Sequence, residues 1–263
     1  SALKQRRRSV ERLLLQETMD LSKRKDASAL REITSICEAS GIAVERVDKG
    51  YLNRKCDNRP HQGVVLMGEP LLFEHMSNPP LAPPDALGQR RLWLVLDEVQ
   101  DPHNLGSLLR SAYFLGVDGV LVSEKNTARL SPAVSKSSAG AMELMRVHST
   151  RNLVKYLNAA TEAGWLVAGA AFDDSVLVGE LEGDDRRPTM LVMGSEGKGL
   201  RTMVSRSCEV LVRVPRGLGG DGGGTRAMTQ FDGIEGLEDN SRLVDSLNVG
   251  VAGALLMHQL LGR

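Results

Sequence analysis

The sequence predicts an α/β protein in which a parallel sheet carries helices on both faces and follows a smaller α/β domain at the front of the chain. From Leu92 onward, strand-like apolar runs alternate with helical segments, which is the order typical of a parallel sheet. The chain has 263 residues, of which 41% are hydrophobic and 25% charged. This size and composition suit one or two globular domains with buried cores.

A proline-rich stretch marks the predicted domain boundary. Four prolines lie between positions 79 and 84, and proline neither donates a backbone hydrogen bond nor continues a helix. We therefore predict a small domain at 1–73, a linker at 74–90 and a second domain at 91–263.

In the small domain, apolar spacing predicts two helices and two short strands. Helical spacing runs from Lys4 to Gln16 and from Ala27 to Ala39, and strand-like runs occupy Ile42–Val47 and Gly63–Met67. Residues 1–64 hold 14 Lys/Arg and 9 Asp/Glu, net +5, although the whole chain is neutral. This basic segment favours an anionic partner, and a solubilised surface is the alternative.

In the second domain, predicted strands and helices alternate along the chain. The final helix is apolar nearly all round, so it must be buried on more than one side, in the core or at a subunit interface. The strands are Leu92–Leu96, Gly119–Val122, about 144–147, Trp165–Ala170, Met190–Met193 and Val210–Val214, and the helices are 104–115, 131–138, 151–162 and one from Ser246.

The composition argues against several kinds of site. Cys37, Cys56 and Cys208 lie far apart without a C-x-x-C pair, which disfavours a disulfide framework or a zinc ribbon and favours a reduced, intracellular protein. The five histidines show no H-x-x-x-H spacing, so we predict no metal site. No apolar run reaches the roughly 18 residues of a membrane span.

The segment after the first strand of the second domain has features of an anion site. Asn104 stands where an N-cap belongs, after the Asp101-Pro102 turn. Helical geometry places Gly106 and Arg110 one turn apart and away from the apolar stripe. A helix N-terminus, the gap at Gly106 and the Arg110 guanidinium together favour an anion site. A capping Asn and a surface Arg are the alternative.

Two further segments place polar groups at the carboxyl edge of the predicted sheet, where ligands bind in open α/β folds. After the strand that ends at Met193, a turn holds three glycines, including Gly194, and the carboxylate of Glu196. Glycines there let a backbone approach a ligand closely. Ser246 and Asn248 begin the final helix, and Ser246 by itself would be interpreted as its N-cap.

Two glycine-rich patterns do not support a nucleotide site. The pattern Gly217-x-Gly219-x-x-Gly222 matches a dinucleotide fingerprint, but no helix is predicted to open at its third glycine, so a flexible loop is favoured. Gly197-Lys198-Gly199 lacks the Ser/Thr and the earlier glycine of a phosphate loop.

Three ordered motifs in the second domain resemble those of the SpoU (TrmH) family of RNA ribose 2′-O-methyltransferases. The resemblance covers about 92–263, and Ser135–Ala141 resembles the family's segment between the first two motifs. His61–Val65 lies in a front part that resembles the family's L30-like substrate-binding domain. Within the family, the chain looks most like the mitochondrial large-subunit rRNA guanosine 2′-O-methyltransferases and their bacterial counterparts. The motifs are Asn104-x-Gly106-x-x-x-Arg110, Gly194-x-Glu196-x-x-Gly199, and Val214-Pro215 followed by Ser246-Leu247-Asn248-Val249.

The resemblance implies a C-terminal trefoil knot, S-adenosylmethionine bound by backbone groups of the knot, and a homodimer packed through the knot helices. It also implies large-subunit rRNA as the partner and the mitochondrial matrix as the compartment, with the bacterial cytoplasm as the alternative. By motif position, the implied cofactor-binding residues are Met193, Gly194, Val214, Pro215 and Leu247, and the implied catalytic and substrate-side residues are Asn104, Arg110, Glu196, Ser246 and Asn248.

The chain departs from the family's pattern at the cofactor edge. Val214-Pro215-Arg216 stands where members usually have Ile-Pro-Met, and the connection to Ser246, usually short, is a stretch of 30 residues at 216–245. We interpret this acidic, glycine-rich segment as either a gate over the cofactor or a passive insertion. The main alternative function is a catalytically silent RNA-binding or ribosome assembly factor on the same fold, and a dinucleotide-dependent oxidoreductase is a weaker one.

Overall fold

The front part of the chain forms a compact unit of its own. The computed structural model describes residues 2–5, 7–20, 24–83, 90–171, 175–182, 187–215 and 246–262, and the chain divides into the units Ser1–Leu72 and Phe73–Arg263. The front unit contains a three-stranded sheet in the order β2-β1-β3, in which β1 runs parallel to β2 and antiparallel to β3. Its elements are α1 (Ala2–Gln5), β1 (Val10–Gln16), α2 (Ala27–Ala39), β2 (Ala43–Val47), α3 (Lys49–Lys55) and β3 (Val64–Gly68).

The helix predicted from Lys4 to Gln16 is wrong, because Val10–Gln16 is the central strand β1. Successive side chains of a strand point to opposite faces, yet Leu13 and Leu14 are both buried, at 1% and 0% exposure. A strand covered on both faces shows a continuous apolar run, which matches part of a helical pattern just as well. The predicted helix at Ala27–Ala39 is confirmed as α2.

The second unit contains one eight-stranded sheet, and all of its strand pairs are parallel. The strand order is β4-β7-β6-β5-β10-β8-β11-β9. The strands are β4 (Glu74–His75), β5 (Leu92–Leu96), β6 (Gly119–Ser123), β7 (Val147–Thr150), β8 (Leu166–Ala170), β9 (Val176–Leu177), β10 (Thr189–Met193) and β11 (Val210–Arg213). The α-helices are α4 (Pro102–Leu115), α5 (Pro132–Ser137), α6 (Ala141–Leu144), α7 (Leu153–Glu162), α8 (Thr202–Ser205) and α9 (Val249–Leu260), and Val178–Glu182 is a 3-10 helix.

Helices cover both faces of this sheet, which confirms the predicted fold class. On one face, Val95, Met190 and Val192 belong to a buried cluster with side chains of α7 and α8. Met193 points to the opposite face, where α4 and α9 pack against each other and α9 contacts β10. The short strand β4 pairs with β7, so Glu74–His75 joins the sheet although the sequence places it in a linker.

The sheet has a topological switch point between β5 and β10. From β5, the chain adds β6 and β7 on one side, and it later adds β10, β8 and β11 on the other. The backbone N–H of Asp97, just past β5, donates to the Met193 carbonyl at the end of β10 at 2.8 Å. The carboxyl ends of these two strands therefore lie side by side, and ligands bind at such a point in open α/β sheets.

Several predicted boundaries shift in the structure. The strand expected near 144–147 lies at Val147–Thr150, and the helix α6 precedes it. Asn104 is not the N-cap of α4, because Asp101 accepts from the His103 N–H at 3.1 Å and Pro102 begins the helix. This Asp-Pro start combines a favoured cap with a favoured first residue, and it leaves the Asn104 side chain available for other contacts.

The helix predicted from Ser246 begins at Val249, with Asn248 as its cap. One face of α9 is buried as expected, through Val249, Leu256 and Met257. The opposite face is open in the single chain, because Val251 and Leu255 are 49% and 43% exposed. The core of a single chain therefore does not bury the whole helix, and the other alternative, burial at a subunit interface, stays a prediction.

Residues 216–245 lie outside the described residues, so the predicted knot, the glycine pattern at 217–222 and the predicted gate stay predictions. Within the ranges that the structure describes, no helix is long and apolar enough to cross a membrane. The same ranges contain no group of three or more His, Cys, Asp or Glu residues that could hold a metal ion.

Candidate functional site

Three polar side chains from distant parts of the sequence meet at the switch point. The Asn104 Nδ2 group donates to Glu196 Oε2 at 2.7 Å. The Asn248 Nδ2 group donates to Asn104 Oδ1 at 2.9 Å and to Glu196 Oε1 at 3.0 Å. We call Asn104, Glu196 and Asn248 the polar triad. Its hydrogen bonds close a ring that fixes the direction of the Glu196 carboxylate.

Each member of the polar triad is placed by a different element. Asn104 lies in the first turn of α4 and is 6% exposed. Glu196 stands on the exposed turn that follows β10. The Oδ1 atom of Asn248 accepts from the Gly250 N–H at 3.0 Å and so caps α9, which leaves its Nδ2 group to donate to the other two. The start of α9 and the triad therefore share one side chain.

The turn that carries Glu196 is closed by its own backbone. Ser195 and Gly199 form an antiparallel bridge with N–H to O=C distances of 3.1 and 2.8 Å. A Cβ atom at Gly194 would collide with the Gly199 backbone. Closure of this turn thus requires Gly194, and the approach of a ligand, which the sequence predicts there, stays a prediction. A bulky residue there would deform the turn before it met any ligand.

The structure also gives Gly106 a different role from the one that the sequence predicts. A Cβ atom at this position would collide with the Ser137 side chain of α5, and Ser137 Oγ donates to the Pro102 carbonyl at 3.2 Å. The missing side chain therefore lets α5 pack tightly against α4. The expectation that it leaves room beside Arg110 is wrong, because α5 fills that space.

The structure does not bring Arg110 and Ser246 into the polar triad. Both residues are exposed, and within the described part of the chain neither side chain makes a hydrogen bond or an ion pair. Arg110 lies on the outer side of α4, so its guanidinium is available to an external anion.

Three residues at the same edge have backbone groups that no other described residue pairs with, which suits backbone recognition of a ligand. Among the described residues, no hydrogen-bond partner is present for the backbone of Gly194, Val214 or Leu247. Gly194 is buried, and buried backbone groups in native proteins are almost always paired, with protein, water or ligand. Met193 is also buried, whereas Pro215, which has no N–H to offer, is exposed.

Sequence reasoning missed a buried carboxylate at the same edge of the sheet. Asp97, 1% exposed, accepts from the Arg201 backbone N–H at 3.1 Å and from Arg201 Nε at 2.8 Å. Hydrogen bonding to Asp97 raises the pKa of the Arg201 guanidinium. A charged residue directly after the buried strand Leu92–Leu96 was the available signal, because the carboxyl ends of parallel strands form the ligand-binding edge.

Comparison with known proteins identifies the family. A model of the SpoU rRNA Methylase family matches residues 91–218, and a model for RNA 2'-O ribose methyltransferase substrate binding matches residues 1–73. The human protein named rRNA methyltransferase 1, mitochondrial, is 40% identical over 269 aligned positions, which cover 98% of this chain and 69% of the human protein. The chain belongs to the SpoU rRNA methylase family.

Other relatives and solved structures agree with this assignment. A Schizosaccharomyces pombe protein, also named rRNA methyltransferase 1, mitochondrial, is 32% identical, with 83% of this chain and 74% of that protein covered. The AdoMet-bound rRNA methyltransferase from Sinorhizobium meliloti superposes with a TM-score of 0.66 at 21% identity, covering 98% of this chain and 82% of that one. The SpoU methyltransferase AviRb from Streptomyces viridochromogenes gives 0.63 at 19% identity, covering 99% and 85%. At these identities the two structures support the fold alone.

The double role of Asn248 predicts a pH-dependent defect in Asn248→Asp. The new carboxylate keeps the cap of α9 but faces the Glu196 carboxylate, and like charges raise the pKa of the pair in the folded state. The variant should lose about 1 kcal/mol or more of stability near pH 8. The loss should shrink as the pH falls through the carboxyl pKa range, because protonation removes the repulsion.

Urea unfolding between pH 4 and pH 8 measures this difference from the unsubstituted protein. The matched control is Asn152→Asp, since Asn152 caps α7 by accepting from the Lys155 N–H. Asp is an equally good cap there and suits the helix dipole, so no pH-dependent loss is expected. A pH-independent effect of Asn248→Asp would contradict the close approach to Glu196.

Proposed function

We propose that the protein transfers the methyl group of S-adenosylmethionine to a ribose 2′-hydroxyl of rRNA. The observation that carries the proposal is the polar triad, in which residues from the three family motifs meet at the ligand-binding edge of the sheet. The AdoMet-bound Sinorhizobium meliloti structure and the relatives named rRNA methyltransferase support the donor and the RNA class.

The cofactor is assigned to the backbone of three segments. Gly194, Val214 and Leu247 supply N–H and C=O groups that lack partners among the described residues, and such groups suit the adenine and amino-acid parts of S-adenosylmethionine. Met193 and Pro215 flank these segments with apolar surface. When bound, the cofactor supplies an activated methyl group on a sulfonium sulfur.

The chain's own tasks are alignment and control of charge. When bound, the cofactor would supply the methyl group to the ribose 2′-oxygen and depart as S-adenosylhomocysteine, and the hydroxyl proton would pass to solvent. Arginine is a poor base because its guanidinium group stays protonated in proteins. We therefore assign Arg110 to bind the RNA phosphate and stabilise the developing negative charge on the oxygen. The polar triad, together with Ser246, lines the acceptor side and orients the hydroxyl for in-line attack.

Arg110→Ala should abolish methyl transfer and leave cofactor affinity within a few-fold of the unsubstituted protein. The reason is that Arg110 is exposed on α4 and, among the described residues, forms no hydrogen bond with Gly194, Val214 or Leu247. Single-turnover transfer of labelled methyl groups to rRNA measures the first effect, and calorimetry with S-adenosylmethionine measures the second.

Arg151→Ala is the control for this experiment. The Arg151 side chain is 80% exposed and forms an ion pair with the exposed Glu124 side chain at 3.3 Å. It should transfer methyl groups at the normal rate. Near-normal transfer by Arg110→Ala would disprove the assigned role.

The front unit is proposed to recognise the RNA. It carries the net +5 charge of residues 1–64 and matches the substrate-binding model. On α3, Arg54 and Lys55 both lie over the Tyr51 ring, at 5.7 and 5.5 Å from its centre. An aromatic ring beside two cations suits a nucleotide, whose phosphates pair with the charges and whose base can stack. By contrast, both ring nitrogens of His61 are hydrogen-bonded within the unit, Nε2 with the Asn53 side chain and Nδ1 with the Gly63 N–H.

The double variant Arg54→Glu/Lys55→Glu should therefore bind rRNA more weakly without a change in cofactor affinity. If both side chains neutralise phosphates, the slope of log affinity against log salt should fall by about 2. Binding of an rRNA fragment across a salt series measures the slope. Arg151→Glu/Lys155→Glu in the second unit is the charge-matched control, and an equal loss in the control would argue against recognition by α3.

A homodimer formed through α9 is proposed from the apolar side chains that α9 leaves open. Val251 and Leu255 on α9 are 49% and 43% exposed, and Leu247, just before the helix, is 44% exposed. Phe114 on the neighbouring α4 is 85% exposed. Exposed apolar groups concentrated on adjacent helices are typical of an interface, and the second copy offers the same surface in a self-complementary contact.

Val251→Asp/Leu255→Asp should weaken self-association by about tenfold or more, because the interface would bury unpaired charges. Sedimentation equilibrium over a concentration series gives the dissociation constant. The control is Met203→Asp, an equally exposed apolar side chain (57%) on α8, which lies on the other face of the sheet. Equal dissociation constants for the unsubstituted protein and the double variant would rule out this interface.

The target is proposed to be a guanosine of large-subunit rRNA in the mitochondrial matrix. The mitochondrial relatives from human and Schizosaccharomyces pombe favour this compartment. A Staphylococcus haemolyticus relative named Putative TrmH family tRNA/rRNA methyltransferase, 29% identical over 88% of this chain and 82% of its own, favours the bacterial cytoplasm as the alternative. Mapping of ribose methylation in rRNA from cells lacking the protein identifies both nucleotide and compartment.

A further inference from the structure

We propose that Asp97 and Arg201 form a clamp that holds the Glu196 turn in the shape needed to bind S-adenosylmethionine. Asp97 is then a positioning residue, because it acts through Arg201 and the turn and does not touch the ligand. The inference rests on the proposed function, since it assigns the cofactor to the backbone at Gly194.

The contacts of Asp97 join two neighbouring strand ends. Its two carboxylate oxygens receive the backbone N–H, the Nε group and the NH2 group of Arg201, with an Nε–Oδ1 distance of 2.8 Å and an NH2–Oδ1 distance of 2.6 Å. Arg201 follows the turn that begins at Gly194, whereas Asp97 follows β5. The clamp therefore fastens the far end of the turn to the adjacent strand, while the Asp97 N–H fastens its near end at Met193.

Glu98 adds a second ion pair to the clamp, and it does so in an unusual backbone conformation. Its φ angle is +57°, a left-handed value that costs a non-glycine residue of this type about 1 kcal/mol or more. In this conformation its carboxylate lies 3.3 Å from Arg201 NH1 and accepts from the Asn126 amide at 3.2 Å. The Arg201 guanidinium thus bridges two consecutive carboxylates. Such strain persists only where the surroundings impose it, and it concentrates at functional sites.

A second ion pair on the same strand shows what a purely structural pair looks like. Arg91 pairs with Asp118 at 2.6 Å at the amino end of β5, and the Arg91 and Arg201 side chains are equally exposed, at 46%. Asp118, however, is 25% exposed and binds no turn at the ligand edge, whereas the Asp97 side chain is fully buried. Burying a carboxylate is costly. At the carboxyl edge of β5 this cost is offset by three hydrogen-bond donors of Arg201, the residue that follows the turn.

The clamp restricts the movement of the backbone that is proposed to contact the cofactor. The Ser195–Gly199 bridge fixes the turn internally, but it does not fix the turn relative to β5. Without Arg201, the turn could shift as a unit, and displacements of about 1 Å at a binding site cost up to about a hundredfold in function. The clamp should therefore control cofactor affinity, and through Glu196 the geometry of the polar triad.

Four variants test the clamp. Arg201→Met removes the guanidinium and leaves the buried Asp97 carboxylate with only the backbone N–H of residue 201 as a donor from this residue. Asp97→Leu/Arg201→Met removes the buried charge as well, so that the domain avoids an unpaired carboxylate. Arg201→Lys keeps a charge but cannot reproduce the forked contact. Arg91→Met is the matched control at the other end of β5. For each, calorimetry gives the dissociation constant for S-adenosylmethionine, and hydrogen exchange without cofactor reports on amides 195–200.

Arg201→Met and the double variant should both bind S-adenosylmethionine about tenfold or more weakly and exchange the 195–200 amides faster by a similar factor. For Arg201→Lys, the dissociation constant and the exchange rates should lie between those of the two Met variants and those of the unsubstituted protein. Arg91→Met should match the unsubstituted protein in both measurements. A double variant that is folded and binds the cofactor within twofold of normal would overturn the proposal, because the pair would then serve stability only. If the unsubstituted protein binds no S-adenosylmethionine, the proposed function fails, and unchanged amide exchange in Arg201→Met separately overturns the clamp.

Discussion

The parallel pairing of β5 with β10 is the constraint on which the site depends. The register that places Leu96 opposite Met193 brings the segments after both strands to one edge, although about a hundred residues separate them in the chain. Asp97 and the Glu196 turn are neighbours only because of this pairing. A different strand order would leave each motif intact in sequence and would disperse the polar groups.

The fold assigns more than one task to the residues at this edge. Asn248 caps a helix and donates to the other members of the polar triad, and Gly194 allows the turn to close and is proposed to present its backbone to the cofactor. Because the structural and binding roles share the same atoms, the site is built mainly from groups that the fold already holds in place. Such preorganisation lowers the cost of aligning reactants.

The alternation of strands and helices could be predicted from sequence because strands such as β5 and β10 are buried on both faces and appear as short, continuous apolar runs. The same feature misled prediction at Val10–Gln16, where a buried strand resembles part of a helix. The residues of the polar triad could be named one by one from their motifs. Their mutual contacts and the pairing of Asp97 with Arg201 could not be predicted, because they depend on the order of strands in the sheet, and no local sequence pattern indicates that order.

The shared role of Asn248 couples the folding of α9 to the occupancy of the site. If the first turn of α9 opens locally, the Asn248 amide leaves Asn104 and Glu196 at the same moment, so this partial unfolding dismantles the triad while the sheet stays intact. Linkage makes the coupling reciprocal. A ligand that holds the triad together also stabilises the helix, and anything that orders the helix, including a second subunit packed on its open face, raises the affinity of the site.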